Sequence, residues 1–124
     1  GWYEDLMSGR PILCATDQRF NPLGADDAAS AIIELIDLHA RGIVHLSTQG
    51  LVSRWDLLER FSDQIASQLQ IIPEIVACKL EDLTFSEPRP IDTSLRPSDL
   101  LRTLDVKLRL PFKLIDDFAE LVLH

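Results

Sequence analysis

Arg89 is the side chain best suited to ligand chemistry in this sequence. It lies in the proline-rich stretch Glu87-Pro88-Arg89-Pro90, where we expect irregular backbone rather than helix or strand. The planar guanidinium of arginine binds phosphate and carboxylate groups through paired hydrogen bonds. Arg89 is therefore a candidate for binding an anionic ligand, and an ordinary surface or salt-bridged arginine is the alternative.

Histidine and cysteine side chains do not have the spacing of a metal site. His39, His45 and His124 lie at no ligand-like interval from Cys14 or Cys78. Both cysteines stand in short apolar stretches, where a thiol packs as a small apolar group. We predict no metal site and two buried free thiols.

Catalytic and cofactor-binding motifs are also missing. The five glycines, at positions 1, 9, 24, 42 and 50, cannot form a G-x-G-x-x-G or Walker loop. Tyr3 is followed four residues later by Met7, which rules out a Tyr-x-x-x-Lys pair. His45 and Ser47 would point in parallel from one strand and are poorly placed for proton transfer. We predict no catalytic residue and no cofactor bound by these residues.

The composition limits the partners. A formal net charge of −8 disfavours binding to nucleic acid or to an anionic membrane, because phosphate binding depends on clustered Lys and Arg. No apolar run approaches the roughly 18 residues of a membrane span. We expect a cytoplasmic protein, with residues 1–124 forming one domain.

Strand-like and helix-like segments alternate along the chain. Short apolar runs predict strands at 12–15, 43–47 and 75–80. Five helices are predicted. Two span 2–7 and 97–104, and a third begins at Pro111. A fourth begins at Asp26 and Asp27, which we expect to cap it, and a fifth begins at Arg54 after a capping box of Ser53 and Asp56. The apolar spacing predicts buried faces on three of these helices, made by Ala28, Ala29, Ile32, Leu35, Ile36 and His39, by Leu58, Phe61, Ile65 and Leu69, and by Ile115, Phe118 and Val122. The alternation indicates an α/β fold with a small sheet and packed helices.

Several short motifs occur in a collinear order. Asp17-Gln18 precedes Asn21-Pro22, Asp27-Ala28-Ala29 opens a helix, and Gly42-Ile43-Val44-His45-Leu46-Ser47 leads to Ser53-Arg54-Trp55. The sequence continues with Arg89-Pro90-Ile91-Asp92-Thr93-Ser94-Leu95 and Leu110-Pro111-Phe112. This order resembles the C-terminal part of the dTDP-4-dehydrorhamnose reductases, which are extended short-chain dehydrogenases of dTDP-rhamnose biosynthesis.

The resemblance implies a substrate-binding portion without its Rossmann cofactor domain. It implies that Arg89 lies near the diphosphate of a sugar nucleotide, with Gln18 and Asn21 as further substrate-binding candidates. NADPH or NADH would belong to the full-length parent, which would be a possible homodimer. Phe20 and Leu23 depart from the family's D-Q-x-G-x-P-T pattern. A non-catalytic interaction or regulatory module with the same fold is therefore the alternative, and a small stand-alone α/β binding protein is a third hypothesis.

Overall fold

Four α-helices and two small sheets make up the computed structural model, which describes residues 1–124. In chain order the elements are α1 (Trp2–Ser8), β1 (Ile12–Ala15), β2 (Arg19–Phe20), α2 (Ala25–Asp37), β3 (Val52–Ser53), α3 (Arg54–Leu69), β4 (Ile75–Cys78) and α4 (Pro111–Leu123). Two 3₁₀ turns, Leu80–Asp82 and Asp99–Thr103, lie between β4 and α4. No helix is both long and apolar enough to cross a membrane.

The two sheets have two strands each. β1 and β4 pair in parallel, with Ile12 opposite Ile75 and Ala15 opposite Cys78. β2 and β3 pair antiparallel, with Phe20 opposite Val52. The prediction of a strand at 43–47 was wrong, because that segment finds no strand partner in this chain and has no regular structure. Phe20, predicted to lie in a loop, is a strand residue.

The core lies between α3, α4 and β1. Leu58, Phe61 and Ile65 follow the helical spacing of α3 and are fully buried, as predicted. They pack with the fully buried Ala119 of α4. The Phe61 ring centroid lies 5.5 Å from that of Phe118. Leu69 was wrongly predicted to be buried, because it occupies the last residue of α3 and remains 39% exposed.

Local sequence signals set the ends of α3 and α4. The Ser53 hydroxyl accepts the Asp56 backbone N–H at 3.0 Å, and an Asp56 carboxylate oxygen accepts the Ser53 N–H at 3.3 Å, which is the predicted capping box. Pro111 occupies the first turn of α4, where its missing N–H costs nothing. A side chain at position 50 would overlap the Pro111 ring, so this close approach requires Gly50.

Helix α2 departs most from prediction. Its start is capped by Gly24 without a side-chain hydrogen bond, so Asp26 and Asp27 are first-turn residues rather than caps. Of its predicted core face, Ile32 and Ile36 are 48% and 67% exposed. The apolar spacing correctly predicted a helix, but no other part of the chain covers Ile32 and Ile36.

The two thiols are free. Cys14 is buried in β1 and Cys78 is partly exposed at the end of β4, so the prediction of burial holds fully only for Cys14. Burial raises the pKa of the Cys14 thiol, because a thiolate loses hydration there.

Candidate functional site

The two segments that carry the predicted substrate-binding residues lie side by side. The Arg19 N–H donates to the Ile91 carbonyl at 2.7 Å, and the Thr93 N–H donates to the Arg19 carbonyl at 3.1 Å. Arg19 and Asp92 thereby form a parallel bridge between β2 and the segment that follows Arg89. Residues separated by about seventy positions in sequence therefore meet on one surface.

Arg89 lines a cleft of about 400 Å³ in this surface. Its guanidinium carbon lies 5.1 Å from the centroid of the Phe85 ring, a cation–π contact that orients the side chain. No carboxylate lies within salt-bridge distance of Arg89, so its donors remain available to a ligand. The cleft is otherwise acidic, since Asp17, Glu81 and Glu87 also line it. These carboxylates oppose the entry of a diphosphate.

Gln18 and Asn21 have different environments. Gln18 is partly buried, and its backbone carbonyl accepts the N–H of Arg54 at 3.0 Å. The Asn21 side-chain amide donates to the carbonyls of Thr48 and Gly50 at 3.3 and 3.1 Å, and its oxygen accepts the Leu95 N–H at 2.8 Å. Asn21 therefore ties three segments together. Its substrate-binding role stays a prediction, as do those of Gln18 and Arg89.

Two further clefts share Thr48, Gln49 and Arg102 in their linings and were not predicted from the sequence. One, of about 370 Å³, is lined by Asn21, Arg96 and Arg102 among others. The next, of about 390 Å³, is lined by Gln49, Arg102 and Lys107, and no carboxylate lines it. Basic residues recur between positions 96 and 107, and that spacing was the signal available in the sequence.

An ion-pair network positions α2 against α4. Arg109 contacts Asp26, donates from Nε to Asp27 at 3.0 Å, and pairs with Asp117 at 3.1 Å. The hydrogen bonds with Asp27 and Asp117 raise the pKa of the Arg109 guanidinium. Burial acts to raise the pKa of Asp27, but the hydrogen bonds from Arg109 outweigh it and lower that pKa. Both groups are therefore held in their charged forms.

No cluster of three or more His, Cys, Asp or Glu side chains is arranged to hold a metal ion.

Solved structures share this fold across almost the whole chain. A dTDP-4-dehydrorhamnose reductase from Clostridium acetobutylicum matches with a TM-score of 0.79 and 20% identity, over 99% of this chain and 42% of its own. The enzyme of the same name from Yersinia enterocolitica matches with a TM-score of 0.80 and 19% identity, over 96% and 41%. The chain has the fold of one part of these reductases.

A more distant match is the enzyme WbmH of Bordetella bronchiseptica, solved with NAD⁺, with a TM-score of 0.63, 17% identity and coverage of 92% and 35%. No family model matches the sequence, and no curated protein does so. The predicted resemblance is confirmed at the level of the fold, and with it the α/β fold class. The chain spans about two fifths of the length of the reductases that it matches.

Proposed function

We propose that this chain is the sugar-nucleotide-binding portion of an NAD(P)H-dependent reductase of a nucleotide-linked 4-keto sugar. The observation that carries the proposal is the match to dTDP-4-dehydrorhamnose reductases over 96–99% of this chain and 41–42% of theirs. The motif order found in the sequence agrees with this match. dTDP-4-dehydrorhamnose is the substrate that we favour.

In this proposal the chain binds and orients the substrate, and the hydride and proton transfers take place on another portion of the protein. That division agrees with the lack of a glycine-rich loop and of a Tyr-x-x-x-Lys pair in these residues. NADPH or NADH would supply the hydride. A dTDP-4-dehydrorhamnose reductase from Bacillus anthracis with a similar fold was solved in complex with NADP, and WbmH was solved in complex with NAD⁺.

Arg89 is the residue that we propose to contact the diphosphate. Its side chain is oriented by Phe85 and lacks a carboxylate partner, which leaves a preorganised donor for a phosphate. The adjacent segment that carries Gln18 would run beside the sugar. Arg102 is the second candidate for the diphosphate, because the cleft that it shares with Lys107 has no carboxylate lining.

The test uses the polypeptide as it occurs in its source cell. Arg89→Ala should raise the KM for dTDP-4-dehydrorhamnose about 10- to 100-fold, which corresponds to the loss of a charge-assisted hydrogen bond of about 1.5–3 kcal/mol. Arg89→Lys should restore only part of this, since it keeps the charge but not the paired geometry.

Arg10→Ala is the matched control, since Arg10 is exposed, lines neither the Arg89 cleft nor the cleft of Arg102 and Lys107, and pairs with Asp5 only at 3.9 Å. An unchanged KM in Arg89→Ala would remove Arg89 from the site. A raised KM in Arg102→Ala alone would move the diphosphate to the cleft of Arg102 and Lys107.

A non-catalytic interaction module is the second candidate function. It is favoured by the acidic lining of the Arg89 cleft, where Asp17, Glu81 and Glu87 oppose an anionic ligand. Phe20 stands where the family pattern has a glycine, and in this chain it pairs with Val52 in the antiparallel sheet of β2 and β3. A full-length protein that binds neither dTDP nor NADPH would support this candidate.

A further inference from the structure

The cleft of Arg102 and Lys107 is separate from the Arg89 cleft. The two clefts share no lining residue, and the volume of about 390 Å³ in the former lies within the range of small-molecule sites. Arg89 stands among three carboxylates, whereas no carboxylate lines the cleft of Arg102 and Lys107. In a chain of net charge −8, this cleft is therefore a local region of positive charge that favours an anion.

Neither cation has a strong partner in the chain. Arg102 approaches only Asp99, at 3.8 Å, and both of these side chains are exposed. Lys107 donates to the Leu104 carbonyl at 3.3 Å and forms no ion pair. A guanidinium provides paired donors for phosphate oxygens, and an ammonium adds a point charge. Both side chains therefore keep donors for an anionic ligand.

Thr48 brings a buried hydroxyl to the same cleft. The residue is 5% exposed and lines the cleft, and its hydroxyl oxygen accepts the Gly50 N–H at 3.3 Å. The hydroxyl donates to no group of the chain, since the other hydrogen bonds at Thr48 all end on its backbone carbonyl. A buried O–H without an acceptor is unfavourable, and an anionic oxygen of a ligand would satisfy it.

Contacts between distant segments fix the walls of the cleft. The Ser98 hydroxyl accepts the His45 N–H at 2.8 Å, and the Ser98 N–H donates to the His45 carbonyl at 3.1 Å. The Ser47 hydroxyl donates to the Leu95 carbonyl at 2.8 Å. The remaining wall is apolar and consists of Leu101, Val106, Leu108 and Leu110. An apolar wall beside two cations fits an organic anion better than an inorganic one.

We propose that this cleft is a second ligand site, which binds a phosphate monoester with an apolar body. The phosphate contacts Arg102, Lys107 and the Thr48 hydroxyl, and the body packs on the apolar wall. The inference goes beyond the proposed function, which places the diphosphate of the sugar nucleotide at Arg89.

Isothermal titration calorimetry of the full-length polypeptide with phenyl phosphate tests the inference. Inorganic phosphate and phenol are titrated separately, because each carries only one half of the proposed ligand chemistry. Arg102→Gln and Lys107→Gln each remove one cation from the cleft. Arg10→Gln is the matched control, since it removes one cation at an exposed position outside both clefts. Arg89→Ala removes the guanidinium of the other cleft.

Phenyl phosphate should bind about tenfold more tightly than inorganic phosphate, because the apolar wall removes its ring from water. Phenol should bind more weakly than phenyl phosphate. Arg102→Gln and Lys107→Gln should each weaken phenyl phosphate binding about five- to tenfold. Arg10→Gln and Arg89→Ala should leave it unchanged. Circular dichroism checks the fold of each variant, and Lys107→Gln alone tests the cleft if Arg102→Gln does not fold.

Absence of phenyl phosphate binding would overturn the inference. Equal weakening in Arg10→Gln would also overturn it, because the ligand would then respond to net charge rather than to the cleft. Loss of binding in Arg89→Ala would place the ligand in the Arg89 cleft and contradict a second site.

Titration with dTDP separates this inference from the proposed function. If dTDP displaced phenyl phosphate, and Arg102→Gln but not Arg89→Ala weakened dTDP binding, the cleft would hold the substrate's diphosphate and the inference would fail. A protein that binds phenyl phosphate as expected but does not bind dTDP would contradict the proposed function and support this inference.

Discussion

Arg109→Met should loosen helix α2 from helix α4. The substitution keeps most of the side chain's length and removes the guanidinium that binds Asp26, Asp27 and Asp117. Asp27 is the partner that matters most, because its side chain is only 13% exposed and accepts two hydrogen bonds from Arg109. Asp27 would keep its hydrogen bond from the backbone N–H of residue 109 but would lose the one from the guanidinium. Three carboxylates would then face one another without a shared cation.

The magnitude follows from the Asp27 contact. Asp26 is 75% exposed and Asp117 keeps a second partner in Lys113, so we count neither of them. A charge-assisted hydrogen bond contributes about 1.5–3 kcal/mol, and partial solvent access reduces the expected loss to about 2 kcal/mol. For a domain of this size the corresponding fall in Tm is about 6–10 °C.

Urea unfolding followed by circular dichroism at pH 7 measures this loss. Arg102→Met is the matched control, because Arg102 pairs only with the exposed Asp99, at 3.8 Å, and its removal should cost less than about 0.5 kcal/mol. If the two variants had equal free energies of unfolding, the network would not position α2 and the reasoning would be refuted.

Two further predictions concern local and acid stability. Ser53→Ala should lower the free energy of unfolding by about 1 kcal/mol, because the α3 cap is lost. Ser67→Ala, on the exposed surface of α3, is the control and should change this free energy little. Equal effects of the two substitutions in urea unfolding would show that the Ser53 cap does not stabilise the fold. Hydrogen bonds from basic side chains lower the pKa of Asp116 and Asp117 below the ordinary value of about 3.9, so the folded state binds fewer protons there than the unfolded state. Their stabilisation is complete above about pH 5 and is lost as the pH falls through the unfolded-state pKa toward the lower folded-state pKa values. The free energy of unfolding should therefore fall between about pH 5 and pH 2, less steeply in Asp116→Asn, and a rise over that range would contradict the pKa directions.

Features set by neighbouring residues were predictable from the sequence. The capping box of Ser53 and Asp56 spans three positions, and Pro111 marks the start of α4 by its own geometry. The buried face of α3 follows from its spacing, because its partner α4 lies in the same chain. The strand at 12–15 was also predicted to the residue, since its partner β4 is present.

Features that depend on distant or outside partners were not predictable. The Arg109–Asp27 pair joins residues 82 positions apart, and no local pattern marks it. The apolar pattern of α2 indicates burial, but Ile32 and Ile36 stay exposed in this chain, and the strand-like segment 43–47 finds no strand partner in it. Binding-site prediction is limited in the same way, because the sequence indicated Arg89 but not the carboxylates of Asp17, Glu81 and Glu87 in its cleft.

The intact mass of the polypeptide in its source cell tests the central claim most directly. An antibody raised against this segment would capture the polypeptide, and mass spectrometry would measure its intact mass. A reductase in which this chain is the substrate-binding portion should have a mass of about 33 kDa, since 14.0 kDa divided by the 42% share gives that value. A mass near 14.0 kDa would contradict the reductase proposal, because no room would remain for a cofactor-binding domain.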